Sequence, residues 1–205
     1  MTAHLALLGF IALMVGTPGP ANLMAMLAGV TQGLRRCVGF ISGMAVGKVG
    51  LNLLIGFGFG VVLESNPILQ TALTYGSAGF MIWLAIKSWP RSVTYAESRR
   101  YKTAVKFHFR EGVILHPLNP KAWMMVIIAW AHFAPALGDF SVQLPVIIFC
   151  FASCQLIFHS LWCALGAFLS RSFVHNQLLA RIMIILTILV VFVSVSYTHL
   201  RAHET

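Results

Sequence analysis

The sequence predicts an all-α integral membrane protein. About six transmembrane helices are expected, in two inverted three-helix repeats, with helices 1 and 4 interrupted by proline. Three observations predict this. Only 9% of the 205 residues are charged and 59% are hydrophobic. A soluble domain carries about 25% charged residues, so a chain this poor in charge cannot clothe a surface that faces water. Six apolar stretches approach the roughly 20 residues that a bilayer crossing requires. Basic residues gather in alternate loops between those stretches.

The spans are expected at Leu5–Val30, Val38–Leu63, Pro67–Trp89, Glu111–Leu137, Val142–Ser170 and Leu178–Val195. The first opens after Met-Thr-Ala-His with no basic stretch, so it reads as a span and not as a cleaved signal. The first loop holds Arg35 and Arg36, the third Lys87, Arg91, Arg99, Arg100, Lys102, Lys106 and Arg110, and the fifth Arg171 and Arg181. The second and fourth hold only Glu64 and Asp139. Basic residues favour the cytoplasmic side, which puts loops one, three and five in the cytoplasm and both termini outside. The net charge of +9 then reads as an orientation signal beside anionic lipid, and a nucleic-acid role is set aside.

One domain, residues 1–194, is expected, with repeat one at about 1–89 and repeat two at about 110–194. The last apolar run, Leu178–Val193, falls short of a bilayer core of about 30 Å at about 1.5 Å per residue. It then gives way to VSYTHLRAHET, residues 195–205. That string resembles a reading frame of a sequencing-library adapter, and it is left out of the fold as a non-native tail.

Two proline clusters lie about half a chain apart. The first span contains Thr17-Pro18-Gly19-Pro20-Ala21-Asn22, and the fourth contains His116-Pro117-Leu118-Asn119-Pro120-Lys121. Proline lacks an N–H and clashes with the preceding helical turn, so each cluster should break its helix. Broken backbone at membrane depth is tolerated only inside protein or along a wet cavity. Paired interruptions in corresponding positions of two repeats point to a transporter's binding site. A half-helix that restarts after a break offers free N–H groups and a positive dipole end, which suits a carboxylate. Pro18, Gly19, Pro20, Asn22, Asn119, Pro120 and Lys121 are therefore the candidate substrate-binding residues.

Lys121 and Lys48 each lie about ten residues into a span. An ionisable group there is costly and faces an interior cavity or a partner. Lys48 follows Gly39, Gly43 and Gly47, a spacing of small residues that lets helix backbones approach. No carboxylate lies deep in a span. Glu111, at the mouth of the fourth span, and His116, which can titrate near neutral pH, are the candidates for proton coupling. His132 and His159 read as hydrogen-bonded interior residues. Cys37, Cys150, Cys154 and Cys163 form no CxxC or metal-spaced set and read as free packed thiols. No HExxH, GxSxG, phosphate loop or nucleotide fingerprint is present, so the chain is not read as an enzyme or an ATP-driven pump.

The same residues carry a resemblance. Thr17-Pro18-Gly19-Pro20, then Gln32-Gly33-Leu34-Arg35-Arg36 with Gly39, Gly43 and Gly47, resembles the N-terminal signature of the lysine exporter/homoserine–threonine resistance family. Phe109-Arg110-Glu111-Gly112 with Leu118-Asn119-Pro120-Lys121-Ala122 resembles its second signature, and Tyr75 to Leu84 its third span. The chain departs from the family's usual pattern in placing Ala21 before Asn22, and in carrying lysine at position 48, where relatives often have an acidic or polar residue. The resemblance implies a bacterial inner-membrane protein that exports amino acids, driven by the proton motive force. A small amino-acid substrate and the lipid bilayer are the expected partners, a homodimer is left open, and no cofactor is implied. The alternatives are a passive channel and a non-transporting membrane subunit.

Overall fold

The computed structural model describes residues 2–87, 89, 107–172, 178 and 181–192, and every regular element among them is helical. The basic residues Arg91, Arg99, Arg100, Lys102 and Lys106 and the tail 195–205 lie outside the described residues. Helix α1 (Thr2–Gly16) meets α2 (Pro20–Gln32) at 56°. Helix α3 (Leu34–Leu54) runs through a π-helical turn, Ile55–Phe59, into α4 (Gly60–Glu64). Next come α5 (Pro67–Lys87) and α6 (Phe109–Leu115). Helix α7 (Pro120–Ile128) is prolonged by wider and tighter turns to Leu137, and α6 meets this unit at 59°. The long α8 (Phe140–Ser172) and the shorter α9 (Arg181–Phe192) complete the order.

Three stretches, Leu34–Leu63, Pro67–Lys87 and Phe140–Ser170, are each long and apolar enough to cross a membrane, and counting each bent pair as one span gives up to five. The burial pattern suits lipid as solvent. Ile68 is 82% exposed and Phe57 and Phe149 are each 71% exposed, while Lys48 and Asn52 are fully buried. Apolar side chains outside and polar ones inside reverse the arrangement of a soluble domain.

Helix α8 is the central post, packed against α1, α2 and α3, and α6 lies along α3. Two glycine seams set how closely these helices approach. A Cβ at Gly29 would strike the backbone carbonyl of Cys163, and one at Gly166 would strike that of Met26, so α2 and α8 touch backbone to backbone. Gly43 and Gly47 on α3 meet Phe109 and Val113 of α6 in the same way, and Gly112 meets Phe40. Packing of this kind drives helix association where no water remains to be expelled. Both seams lie on the side of the helix breaks that carries the α2–α3 turn and the start of α6. On that side Gln32 also exchanges two hydrogen bonds with the backbone of Phe107, at 2.8 and 3.1 Å.

Candidate functional site: two helix breaks around one polar cavity

A break strands backbone groups that a continuous helix would pair. At the first break, side chains take up the last carbonyls of α1. Thr17 Oγ1 donates to Met14 O at 3.0 Å. Asn22 Nδ2 donates to Val15 O and to Thr17 O, both at 2.8 Å. Trp162 Nε1, from α8, donates to Gly16 O at 3.3 Å. Asn22 thus spends its amide protons closing the end of α1. The start of α2 is left differently. Gly19 is extended, Pro20 has no N–H to pair, and no side chain caps the helix.

At the second break the chain tightens and then restarts under its own cap. Leu118 N–H closes on Ile114 O at 3.1 Å and Asn119 N–H on His116 O at 3.0 Å. Trp123 Nε1 donates to Pro117 O at 2.7 Å. Asn119 Oδ1 accepts from Lys121 N–H at 3.1 Å and so caps α7, which stabilises a helix by about 1 kcal/mol. Pro120 takes the first helical position, where the missing N–H would have been unpaired in any case.

Lys121 joins the two breaks. Its Nζ donates to Thr17 Oγ1 at 2.8 Å and to Thr17 O at 3.3 Å. The side chain passes over Gly19, where a Cβ would come within 3.3 Å of it. A cavity of about 20 Å³ lies between the breaks. Gly19, Asn22, His116, Asn119 and Lys121 line it, as do Gln155 and His159 from α8. Met14, Val15 and Met125 form its apolar wall. The volume holds about one water.

Of the candidates named from sequence, Gly19, Asn22, His116, Asn119 and Lys121 meet at this cavity, with the flanking prolines Pro18, Pro20 and Pro120 in the breaks. Lys48 stands behind them. Its Nζ donates to Ala122 O in the first turn of α7 at 3.2 Å and lies 4.7 Å above the centre of the Phe151 ring. Glu111 does not line the cavity. Its Oε2 accepts from His108 N–H at 3.1 Å in a capping box at the start of α6.

Two histidine expectations are corrected. His132 is exposed, not interior, because the π-helical turn at Ala129–Phe133 turns it out of the bundle. His159 is interior, but its Nδ1 has no hydrogen-bond partner. Its ring lies 5.3 Å from that of His116, both of whose nitrogens are also unpaired. Gln155 is buried with neither end of its amide paired, and sequence reasoning did not single it out. The usable signal was its spacing. Gln155 and His159 are four residues apart and so share a helix face. Asn52 sits four residues after Lys48 in the same way and donates to Lys48 O at 2.9 Å.

Comparison with known proteins gives the family. A family model described as LysE type translocator matches residues 11–200. A leucine efflux protein of Klebsiella pneumoniae subsp. pneumoniae is 22% identical over 198 residues, which covers 89% of this chain and 90% of that protein. A cysteine/O-acetylserine efflux protein of Salmonella choleraesuis is 32% identical over 74 residues, 35% of this chain and 36% of that protein. An uncharacterized membrane protein of Vibrio cholerae serotype O1 is 23% identical over 131 residues; 63% of this chain is matched, and the match spans 64% of that relative. No solved structure matches the chain. The family match takes in both helix breaks and nearly the whole chain, and the chain therefore belongs to the LysE type translocators, a family of transporters and not of enzymes.

Proposed function

We propose that this chain exports amino acids or related small solutes from the bacterial cytoplasm across the inner membrane, by proton-coupled alternating access. One observation carries the reading: two broken helices, distant in sequence, meet at a single polar cavity and are bridged there by Lys121. The names of the efflux relatives support it. In this reading each bent pair crosses once and α9 belongs to a sixth span, which makes two inverted groups of three. Arg35, Arg36 and Arg110 mark the cytoplasmic side, and both termini lie outside.

The substrate's carboxylate would lie against Lys121 Nζ and the uncapped N–H groups at the start of α2, with Gly19 giving it room. Pro18, Pro20 and Pro120 hold the breaks open, while Asn22 and Asn119 fix their geometry. His116 and His159 are better placed than Glu111 to carry a coupled proton, since Glu111 is committed to its cap. A cavity the size of one water cannot hold an amino acid. In this reading the described state is an occluded one, with its cytoplasmic side closed by the glycine seams and the Gln32–Phe107 pair. Uptake of substrate requires α2 and α6 to part from α8 and α3.

The test is export itself. Cells expressing the chain should survive a toxic amino-acid analogue that stops control cells, and a protonophore should abolish the protection. Flux that persists after the proton gradient collapses would replace this reading with a passive channel. An absence of both protection and flux would leave a non-transporting subunit.

A further inference from the structure

We infer, resting on the export reading, that the cavity selects by charge: it takes neutral zwitterionic amino acids with a small apolar side chain and rejects lysine and arginine. The argument begins with a missing counter-charge. Two lysine side chains stand at the second break: Lys121 at the cavity, and Lys48 on the next residue's carbonyl, Ala122 O, at 3.2 Å. The hydrogen bonds they donate go to the Thr17 and Ala122 carbonyls and one hydroxyl, all uncharged. Among the described residues no aspartate or glutamate lines the cavity. Glu111 caps α6, and Asp139 lies in the turn before α8.

A solute with one carboxylate supplies the absent negative charge. Its α-ammonium group also finds a place, because Gln155 Oε1 and the ring nitrogens of His116 are buried without partners. An amide oxygen and a neutral imidazole nitrogen both accept hydrogen bonds. Beyond these groups the wall is Met14, Val15 and Met125, which fits a short apolar side chain. A lysine or arginine substrate would instead bring a second cation beside Lys121, with no acid to meet it. Coulomb repulsion at such distances is little screened once water is excluded, and an unpaired charge in this setting is costly.

The experiment is counterflow into proteoliposomes holding the full chain, driven by unlabelled leucine inside and read as labelled leucine uptake. Unlabelled methionine, lysine or arginine is added outside as competitor. Methionine should compete as leucine does, and lysine and arginine at least tenfold more weakly. Lys48→Glu supplies the missing acid and should raise lysine competition relative to methionine at least tenfold. Lys48→Gln removes the amine without adding an anion and should raise it less. Lysine or arginine competing as well as methionine in the unmodified chain would overturn the charge selection and leave export intact. Absence of counterflow with leucine, and again when lysine or arginine is both loaded inside and supplied as label, would overturn both.

Discussion

The two helix breaks look alike in sequence and do different work. The first is a basin of carbonyls with no ionisable side chain of its own. Four side chains, Thr17, Asn22, Trp162 and Lys121, converge on the end of α1, and α2 then restarts uncapped. The second caps its own helix through Asn119 and contributes the charge, Lys121, with His116 beside it. One break is rich in acceptors and the other in donors. Lys121 reaching Thr17 makes them one site. Proline in a span is therefore not sufficient for a binding site; what matters is which groups the interruption leaves exposed and what satisfies them.

The sharpest way to break this contrast is to remove the side chain that closes the first break. Asn22→Ala leaves Val15 O without the partner seen here, while Thr17 O keeps Lys121. A buried acceptor stripped of its donor costs about 1–3 kcal/mol. Thermal unfolding in detergent should therefore show a loss of about 2 kcal/mol, and Asn22→Asp should not restore it, since a carboxylate has no protons to donate. Stability unchanged by Asn22→Ala would show that the carbonyl basin is not held as described.

Lys121→Ala asks the converse question, whether the bridge serves transport more than folding. If Lys121 holds the substrate's carboxylate as proposed, its removal should lower export at least tenfold, equivalent to about 1.4 kcal/mol, and the melting temperature should move little. Analogue resistance and labelled efflux read the first quantity, and the thermal assay reads the second. Full resistance in this variant would remove Lys121 from the substrate site. Asn119→Ala comes next in size. It removes the α7 cap and should cost about 1 kcal/mol, half the effect at Asn22.

Much of this was legible in the sequence because proline and glycine act locally. Pro18 and Pro20 stop a helix wherever the chain goes, and Gly43 and Gly47 announce a close helix contact before the partner is known. The partner, α6, was not legible. Nor were Gln155 and His159, which stand in α8 among apolar residues. Their meaning comes from a break more than a hundred positions earlier in the chain, and only packing brings the two together. Asn22 shows the same limit. Its position beside the break was evident, but that its amide would turn back onto α1 depended on the angle between α1 and α2. Glu111 was a candidate as the carboxylate nearest a span, at the mouth of the fourth, and what the sequence did not show is that it closes a capping box with His108.

The smallest expected effect falls on the bridge, together with the bond that the same Thr17 hydroxyl donates to Met14 O at 3.0 Å. Thr17→Val keeps the side chain's shape but removes the hydroxyl that accepts from Lys121 at 2.8 Å, leaving the longer bond to Thr17 O at 3.3 Å. Hydrogen bonds between side chains inside membranes average about 0.6 kcal/mol, which corresponds to a change of about threefold. If that bond positions Lys121 for the carboxylate, the loss belongs in the apparent KM for export, with the maximal rate preserved, and Thr17→Ser should restore it. A fall in maximal rate with KM unchanged would place Thr17 in the opening and closing of the breaks. The first break would then be a moving part as well as a lining, and the division of labour between the two breaks would have to be redrawn.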